Sequence, residues 1–322
     1  MNENFYPPLP EVIQAIEQKL GQINRHLDAL GTGLSTAIAE RLDVPVEHVV
    51  NGPGSAALLQ QLISAHASPG VEVVHGSPSF DQYPVMIRNA GATPVAVALR
   101  DHVLDLDAMA AAVTEMTRVV LLCNPNNPTG TALQENDLRG FLDALPDHVV
   151  VVLDEAYVDF AEKIADGVSL YRDDERVCVV RTFSKSYGLL GLRVGYAVAH
   201  EPVAALLRRT LPFFRVSTLG QAAAVAALGA EDEVRRRCAA IARERDRLRD
   251  ALLAADYAVP PTGANFLWLP LGADAIPFAA FCAERGVQLR AVPDQGVRVS
   301  VDQPTSNDLF IELAEDFTRG RP

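Results

Sequence analysis

The sequence predicts an α/β fold, with a large domain on a mostly parallel central sheet and a smaller α+β domain beside it. Two observations point there. Val- and Leu-rich runs without polar alternation recur between helical stretches, as strands buried on both faces of a parallel sheet do. From Glu231 the pattern changes to one long charged amphipathic segment followed by short strand-like runs. At 322 residues, 49% hydrophobic and 21% charged, the chain can bury one large core and a second smaller one.

"PEVIQAIEQKLGQI" carries apolar residues at helical spacing from Pro10, a favourable first helical residue. "STAIAERLDV" and "GSAALLQQLISAHA" repeat that spacing. "VEVVHG", "ATPVAVAL", "RVVLLCNP", "HVVVVLDEAY" and "RVCVVRTFSK" then read as strands, with helical stretches such as "QENDLRGFLDAL" between some of them. These segments place the large domain at 31–230. "EDEVRRRCAAIARERDRLRDALLAA" reads as a long helix, and "NFLWLPL", "FAAFCAERG", "VQLRAV" and "GVRVSV" as a small α+β unit. The small domain is accordingly assigned to 231–322, together with an amino-terminal arm, 1–30.

The formal net charge of −13 argues against a nucleic-acid partner, which needs a basic footprint. The Arg-rich run from Arg235 to Arg249 is interleaved with acidic residues and reads as a solvated helix face. Cys123, Cys178, Cys238 and Cys282 have neither metal nor redox spacing, so buried thiols in a reducing compartment and no metal are expected. "MNENFYPPLPEV" lacks the basic and apolar regions of a signal peptide, and no apolar run approaches a membrane span. A cytoplasmic protein without a membrane partner is expected.

Three strands end in unusual polar segments, which a parallel sheet would gather at its carboxyl edge, where α/β proteins bind ligands. "NPNNPTG", residues 124 to 130, reads either as a surface turn or as a rigid mouth holding an asparagine against a ligand. "VVVVLDEAYVDF" runs four valines and a leucine into Asp154, so this carboxylate needs a hydrogen-bonding or cationic partner. Tyr157, three residues on, can turn a phenol to the same place. "VVRTFSKSYGLLGLRVGY" sets Lys185 between an apolar strand and a Gly/Leu-rich segment, where burial favours the neutral, nucleophilic amine. Thr182, Ser184 and Arg193 together suit a dianionic phosphate. "NGPGSAALLQQLI" adds a glycine turn opening a helix, whose free N–H groups attract phosphate. A lysine for an aldehyde, a carboxylate for a ring nitrogen, donors for a phenolate and a phosphate cup are what pyridoxal 5′-phosphate requires. A simple nucleotide site explains the glycines but not the Asp-Tyr pair or the lysine.

In these segments the sequence resembles the fold-type I pyridoxal-phosphate-dependent aminotransferases of class I/II, most closely the histidinol-phosphate aminotransferase group. "TFSKSYGLLGLRVG" matches the cofactor-lysine signature of class II, and "NPNNPTG" and "DEAYVDF" have the family's form and order. The resemblance runs from "NEN" near the amino terminus to "GVRVSV". It implies that Lys185 bonds the cofactor aldehyde and shuttles the donor's proton, and that Asp154 pairs with the ring nitrogen. It implies that Tyr157 and Asn127 bond the phenolate oxygen and that Phe80 stacks on the ring. Thr182, Ser184, Arg193 and the backbone N–H groups of Ser55 and Ala56 would hold the phosphate. Arg290 and Arg298 would grip the substrate's anionic group, with Asn265 and Tyr6 also placed at the substrate.

The implied reaction moves an amino group between a compound with an anionic group, histidinol phosphate or a related amino acid, and a 2-oxo acid such as 2-oxoglutarate. The implied assembly is a homodimer with sites at the interface. "NENFYPPLP" stands where the family has "NENPYGPSP", and "PFFRVSTLGQAAA" where it has "PYNVNSLSQAAA", which adds Arg215 as a cation near the expected substrate channel. His26 stands where the family has a tyrosine that reaches the neighbouring subunit. These departures leave other acidic or phosphorylated amino compounds open as donors. Two other readings are a lyase like the threonine-phosphate decarboxylases and a non-catalytic cofactor-binding regulator. The complete Lys-Asp-Tyr set speaks against the regulator.

Overall fold

The computed structural model describes residues 2–161 and 164–319. Helices α1 (Pro10–Leu20) and α2 (Thr32–Leu42) precede β1 (Val49–Gly52) and α3 (Ser55–His66). There follow β2 (Glu72–Ser77), α4 (Tyr83–Asn89), β3 (Thr93–Ala98), α5 (Leu106–Ala111), β4 (Thr117–Cys123) and α6 (Glu135–Ala144). Next come β5 (Val150–Asp154), α7 (Gly167–Asp173), β6 (Val177–Thr182), β7 (Gly195–Val198), α8 (Glu201–Thr210), α9 (Thr218–Gly229) and α10 (Glu231–Ala254). The chain closes with β8 (Phe266–Leu269), α11 (Ala275–Ala283), β9 (Arg290–Val292), β10 (Gly296–Ser300) and α12 (Pro304–Arg319).

Among the described residues the strands form two sheets, one of seven strands ordered β1-β7-β6-β5-β4-β2-β3 and one of three ordered β8-β10-β9. In the large sheet β3, β2, β4, β5 and β6 are mutually parallel, and β7 runs antiparallel to both β6 and β1. The missing polar alternation has a direct cause. Val119, Leu121 and Cys123 of β4 pack into the core under α3 and α8, while Val120 and Leu122 pack into the core on the opposite face. Val152 of β5 and Cys178 and Val180 of β6 follow the first set, and Val151, Leu153 and Val179 the second.

The antiparallel β7 brings the amino end of one strand to the carboxyl edge. Gly195 pairs with both Thr182 and Gly52. A Cβ there would stand 2.6 Å from the Ser55 nitrogen and 2.8 Å from the Gly54 carbonyl carbon. Only glycine lets the start of α3 rest on the sheet.

The small sheet has its own core, with Leu267, Leu269, Val297 and Val299 packing on Phe278 and Phe310. Helix α10 serves two cores: Val234, Cys238 and Ile241 pack into that of the large sheet, and Leu248 and Leu252 into that of the small one. Glu231, Asp232 and Glu233 fill its first turn, where carboxylates complement the helix dipole. Its arginines pair with acidic residues three or four positions away, as Arg236 and Arg237 do with Glu233. Helix α1, grouped by sequence with the small domain, packs on α9, and its Val12 joins the core of the large sheet. Among the described residues no helix is long and apolar enough to cross a membrane, and no cluster of side chains could hold a metal ion.

Candidate active site

The ends of β2, β4, β5 and β6 meet β9 and β10 around a cavity of about 680 Å³. Its wall includes His75, Phe80, Asp81, Asn127, Tyr157, Lys185, Leu190, Arg290, Val292 and Arg298. Residues from both sheets therefore share one space. Alternation along β10 sends Arg298 there, because Val297 and Val299 on either side point into the small core.

Lys185 follows β6, and its Nζ donates to the Asn2 carbonyl at 2.8 Å. Burial, first, and then the charges of Arg298 and Arg193 push its pKa down to about 8. About a tenth of the amine is therefore neutral at pH 7, far more than for an ordinary lysine, and the neutral form is the nucleophile.

Asp154 ends β5, 4% exposed. The Tyr83 hydroxyl donates to its Oδ2 at 2.8 Å, while its Oδ1 is buried and accepts no hydrogen bond of normal geometry. Burial pushes this carboxyl up to about 6, against the opposing pull of the Tyr83 hydroxyl, the Ala156 N–H and the Lys185 charge. A buried carboxylate oxygen without a partner is costly unless a ligand supplies one. A protonated ring nitrogen is such a partner.

The phosphate end fits as well. Helix α3 starts after Gly54 without a side-chain cap, which leaves first-turn N–H groups, including those of Ser55 and Ala56, free for an anion. Arg193, in left-handed backbone conformation at φ 56°, packs its guanidinium on Gly54, where a Cβ would come within 2.5 Å of Nη2. Its Nη1 donates to the Ser184 hydroxyl at 3.3 Å. Ser184, Arg193 and the start of α3 thus form one cradle. Thr182 plays another part: its hydroxyl accepts from the Ser184 N–H at 3.1 Å and donates to the Val194 carbonyl at 3.4 Å. It shapes the turn that presents Ser184.

"NPNNPTG" resolves into division of labour. The Asn124 side chain accepts from the Leu133 N–H. Asn126 bonds the Thr129 hydroxyl and the Pro78 carbonyl. Of the three asparagines only Asn127 faces the cavity, where its Oδ1 accepts from Arg298 Nη1 at 2.6 Å. Tyr157 accepts from Asn2 Nδ2 at 3.1 Å and sits edge-on to Phe266. Burial pushes its phenol well above the ordinary tyrosine value. Phe80 lines the cavity and packs edge-on against Tyr83.

Other expected substrate contacts lie elsewhere. Arg215 donates to the Leu30 carbonyl at 3.2 Å and contacts Asn51; it is spent on holding the segment before α2, away from the cavity. The Tyr6 ring stacks on Phe5 and lies under the Arg237 guanidinium of α10. Asn265 donates to the Glu3 carbonyl at 3.3 Å, with its Oδ1 unpartnered, so it holds the amino-terminal segment rather than lining the cavity. His26 stacks on Phe214 and lines a separate surface cleft with Lys19, Arg25 and Gln221.

Sequence reading missed two residues of the cavity wall, Asn2 and His75, and one buried behind it, Tyr83. Asn2 touches Lys185 and Tyr157 and accepts from the Ser300 hydroxyl. Tyr83 clamps Asp154. His75 is 3% exposed; its Nδ1 faces the Gly76 carbonyl at 2.8 Å and its Nε2 has no partner. Burial, first, lowers its pKa. The one available signal was "VEVVHG", where a histidine ends an apolar strand.

Comparison with known proteins agrees with this geometry. Residues 1–312 match the family model described as aminotransferase class I and II. An aromatic amino acid aminotransferase of Thermobifida fusca is 50% identical over 320 residues, 99% of this chain and 89% of the relative. The structure of a histidinol-phosphate aminotransferase from Sinorhizobium meliloti in complex with pyridoxal-5′-phosphate superposes with a TM-score of 0.90 at 29% identity, covering 99% of this chain and 89% of the other. An aspartate aminotransferase from Thermus thermophilus with maleate gives a TM-score of 0.84 at 25% identity, covering 99% and 90%.

Proposed function

Since the chain belongs to the class I and II aminotransferases and uses pyridoxal 5′-phosphate, we propose that it transfers the amino group of an aromatic amino acid to a 2-oxo acid such as 2-oxoglutarate. The observation that carries this reading is the state of Arg298. Its Nη1 is bonded to the neutral Asn127, and its buried Nε has no partner. No carboxylate pairs with it among the described residues. One α-carboxylate would satisfy it. The wall beyond is apolar in Phe80, Leu190, Val292 and Pro293, which suits an uncharged ring better than a phosphate ester. Relatives at 45–50% identity that bear the aromatic name support the same donor class.

When bound, the cofactor supplies the electron sink that makes the donor's Cα–H acidic. Asp154 would hold the ring nitrogen's proton, with Tyr83 fixing the carboxylate's rotamer. Tyr157 and Asn127 would hold the phenolate oxygen, and Ser184, Arg193 and the start of α3 the phosphate. Lys185 Nζ would take the Cα proton and return it on the cofactor side, which its lowered pKa permits near neutral pH. We retain the homodimer as part of this reading, with exposed Phe213 and Phe214 beside His26 as interface candidates.

The test is a half-reaction screen of the cofactor-loaded protein without acceptor. Phenylalanine, tyrosine, histidinol phosphate, threonine phosphate and aspartate are added in turn. Aromatic donors are expected to bleach the visible cofactor band and raise that of the amine form, and Lys185→Ala is expected to lower the rate by at least about 10²-fold. Reaction with histidinol phosphate alone, or CO₂ release from a donor with no rise of the amine-form band, would sink the aromatic aminotransferase reading.

A further inference from the structure

Arg290 and Arg298 are cross-strand partners on β9 and β10, so both guanidiniums lie on the face toward the cavity. Like charges placed opposite one another repel. Beyond burial, the largest cause, Arg290 lowers the pKa of Arg298 and Asp81 raises it. The compensation comes from the large-sheet side. Asp81, in the loop between β2 and α4, accepts from Arg290 Nη2 through Oδ2 at 2.6 Å. Its Oδ1 is held by Gln82 Nε2 at 3.3 Å. Asp81 also lines the cavity, next in sequence to Phe80. The arginine that could take a second substrate anion therefore already holds one, and this anion belongs to the protein.

We propose that Asp81 is a specificity-determining residue, an internal counter-anion that occupies the second anion site at Arg290 and biases the cavity toward ligands with a single carboxylate. A monoanionic amino acid places its carboxylate on Arg298 and leaves the Asp81–Arg290 pair intact. A dianion, whether a phosphate ester or a dicarboxylate, must displace Asp81 or accept its repulsion. The discrimination is moderate, because both partners are more than half exposed and such pairs are weak. A dicarboxylate 2-oxo acid can still enter, at some loss of affinity. The inference rests on the proposed function only in taking Arg298 as the carboxylate site.

Binding separates the two ideas. Isothermal titration of the cofactor-loaded protein with succinate and with 3-phenylpropanoate compares a dianion with an aromatic monoanion, and neither probe needs to react. Asp81→Asn, and Asp81→Ser as a second variant, are expected to raise the ratio of succinate to phenylpropanoate affinity by about two- to fivefold. In an Arg290→Gln background, where no second cation is left to free, the same substitutions should raise the ratio less, through relief of repulsion alone. A ratio unchanged in both variants, or a fall in succinate affinity, overturns the proposal; the fall would mean that Asp81 positions Arg290 instead of competing for it. Mixing the wild-type protein with phenylalanine reports on the aromatic reading independently, by presence or absence of the spectral change.

Discussion

Two titratable groups at the carboxyl edge are held away from their ordinary states, and both have consequences that can be measured. Burial raises the Asp154 carboxyl to about 6, which means that the cofactor-free fold favours the protonated form. That contribution to stability is present below the usual carboxylate range and is lost as pH rises through about 6. A two-unit rise corresponds to about 3 kcal/mol. Asp154→Asn is therefore expected to stabilise the cofactor-free protein by up to about 3 kcal/mol at pH 8, with the gain shrinking toward pH 4, while activity collapses. Urea unfolding at several pH values checks the first part and the half-reaction the second. Lys185 has the opposite sign: its depressed value near 8 disfavours the charged amine. Amine-directed labelling of the cofactor-free protein should rise through about pH 8 at this site. Peptide mapping can follow it cleanly, because the chain has only two other lysines, Lys19 and Lys163. An inflection near the ordinary lysine value of about 10.4 would contradict the buried environment described.

Elements differ in how far the sequence announces them. The strands β2, β4, β5 and β6 were legible because burial on both faces removes polar residues from the run, the edge strand β3 by its short apolar run alone, and Asp154, Asn127 and Lys185 were legible because they end such runs. Strands β1 and β7 were not: each has four residues, and β7 is embedded in the segment that also carries Arg193 and two glycines. Its antiparallel direction explains Gly195, which only the three-dimensional seat of α3 requires. Gly195→Ala should push the start of α3 off the sheet, cost about 1–3 kcal/mol and weaken cofactor affinity, as equilibrium dialysis would report. Gly140, inside α6 with open space around its Cβ position, provides the contrast. Gly140→Ala should leave cofactor affinity unchanged and raise stability by about 0.4–1 kcal/mol. Asn2, Tyr83 and His75 escaped the sequence for another reason. Each acts through a partner at least 70 positions away or through a missing partner, and only His75, closing an apolar run, leaves any local trace.

At the scale of the molecule, α10 and the amino-terminal segment before α1 tie two cores around one cavity. Arg245 is a fixed point in that join. It is 7% exposed, and its Nη1 donates to the carbonyls of Phe160 and Ala264, at 3.0 and 3.3 Å, on the segments after β5 and before β8. Arg245→Ala strands two buried acceptors and should cost about 2–4 kcal/mol, with Arg245→Lys restoring only part, since an ammonium lacks the planar fork. Fluorescence of Trp268, in the small sheet, would then report loss of the small core at lower denaturant than far-ultraviolet circular dichroism reports for the whole chain. Asp154 carries its own consequence to this scale. A fold that leaves one buried oxygen unsatisfied is a fold that a small molecule completes, so the folded population follows free cofactor by mass action. Scarcity of the cofactor would shorten the protein's lifetime before proteases, and abundance would lengthen it. The same oxygen that suits the site to its chemistry would then couple the folded population to cofactor supply.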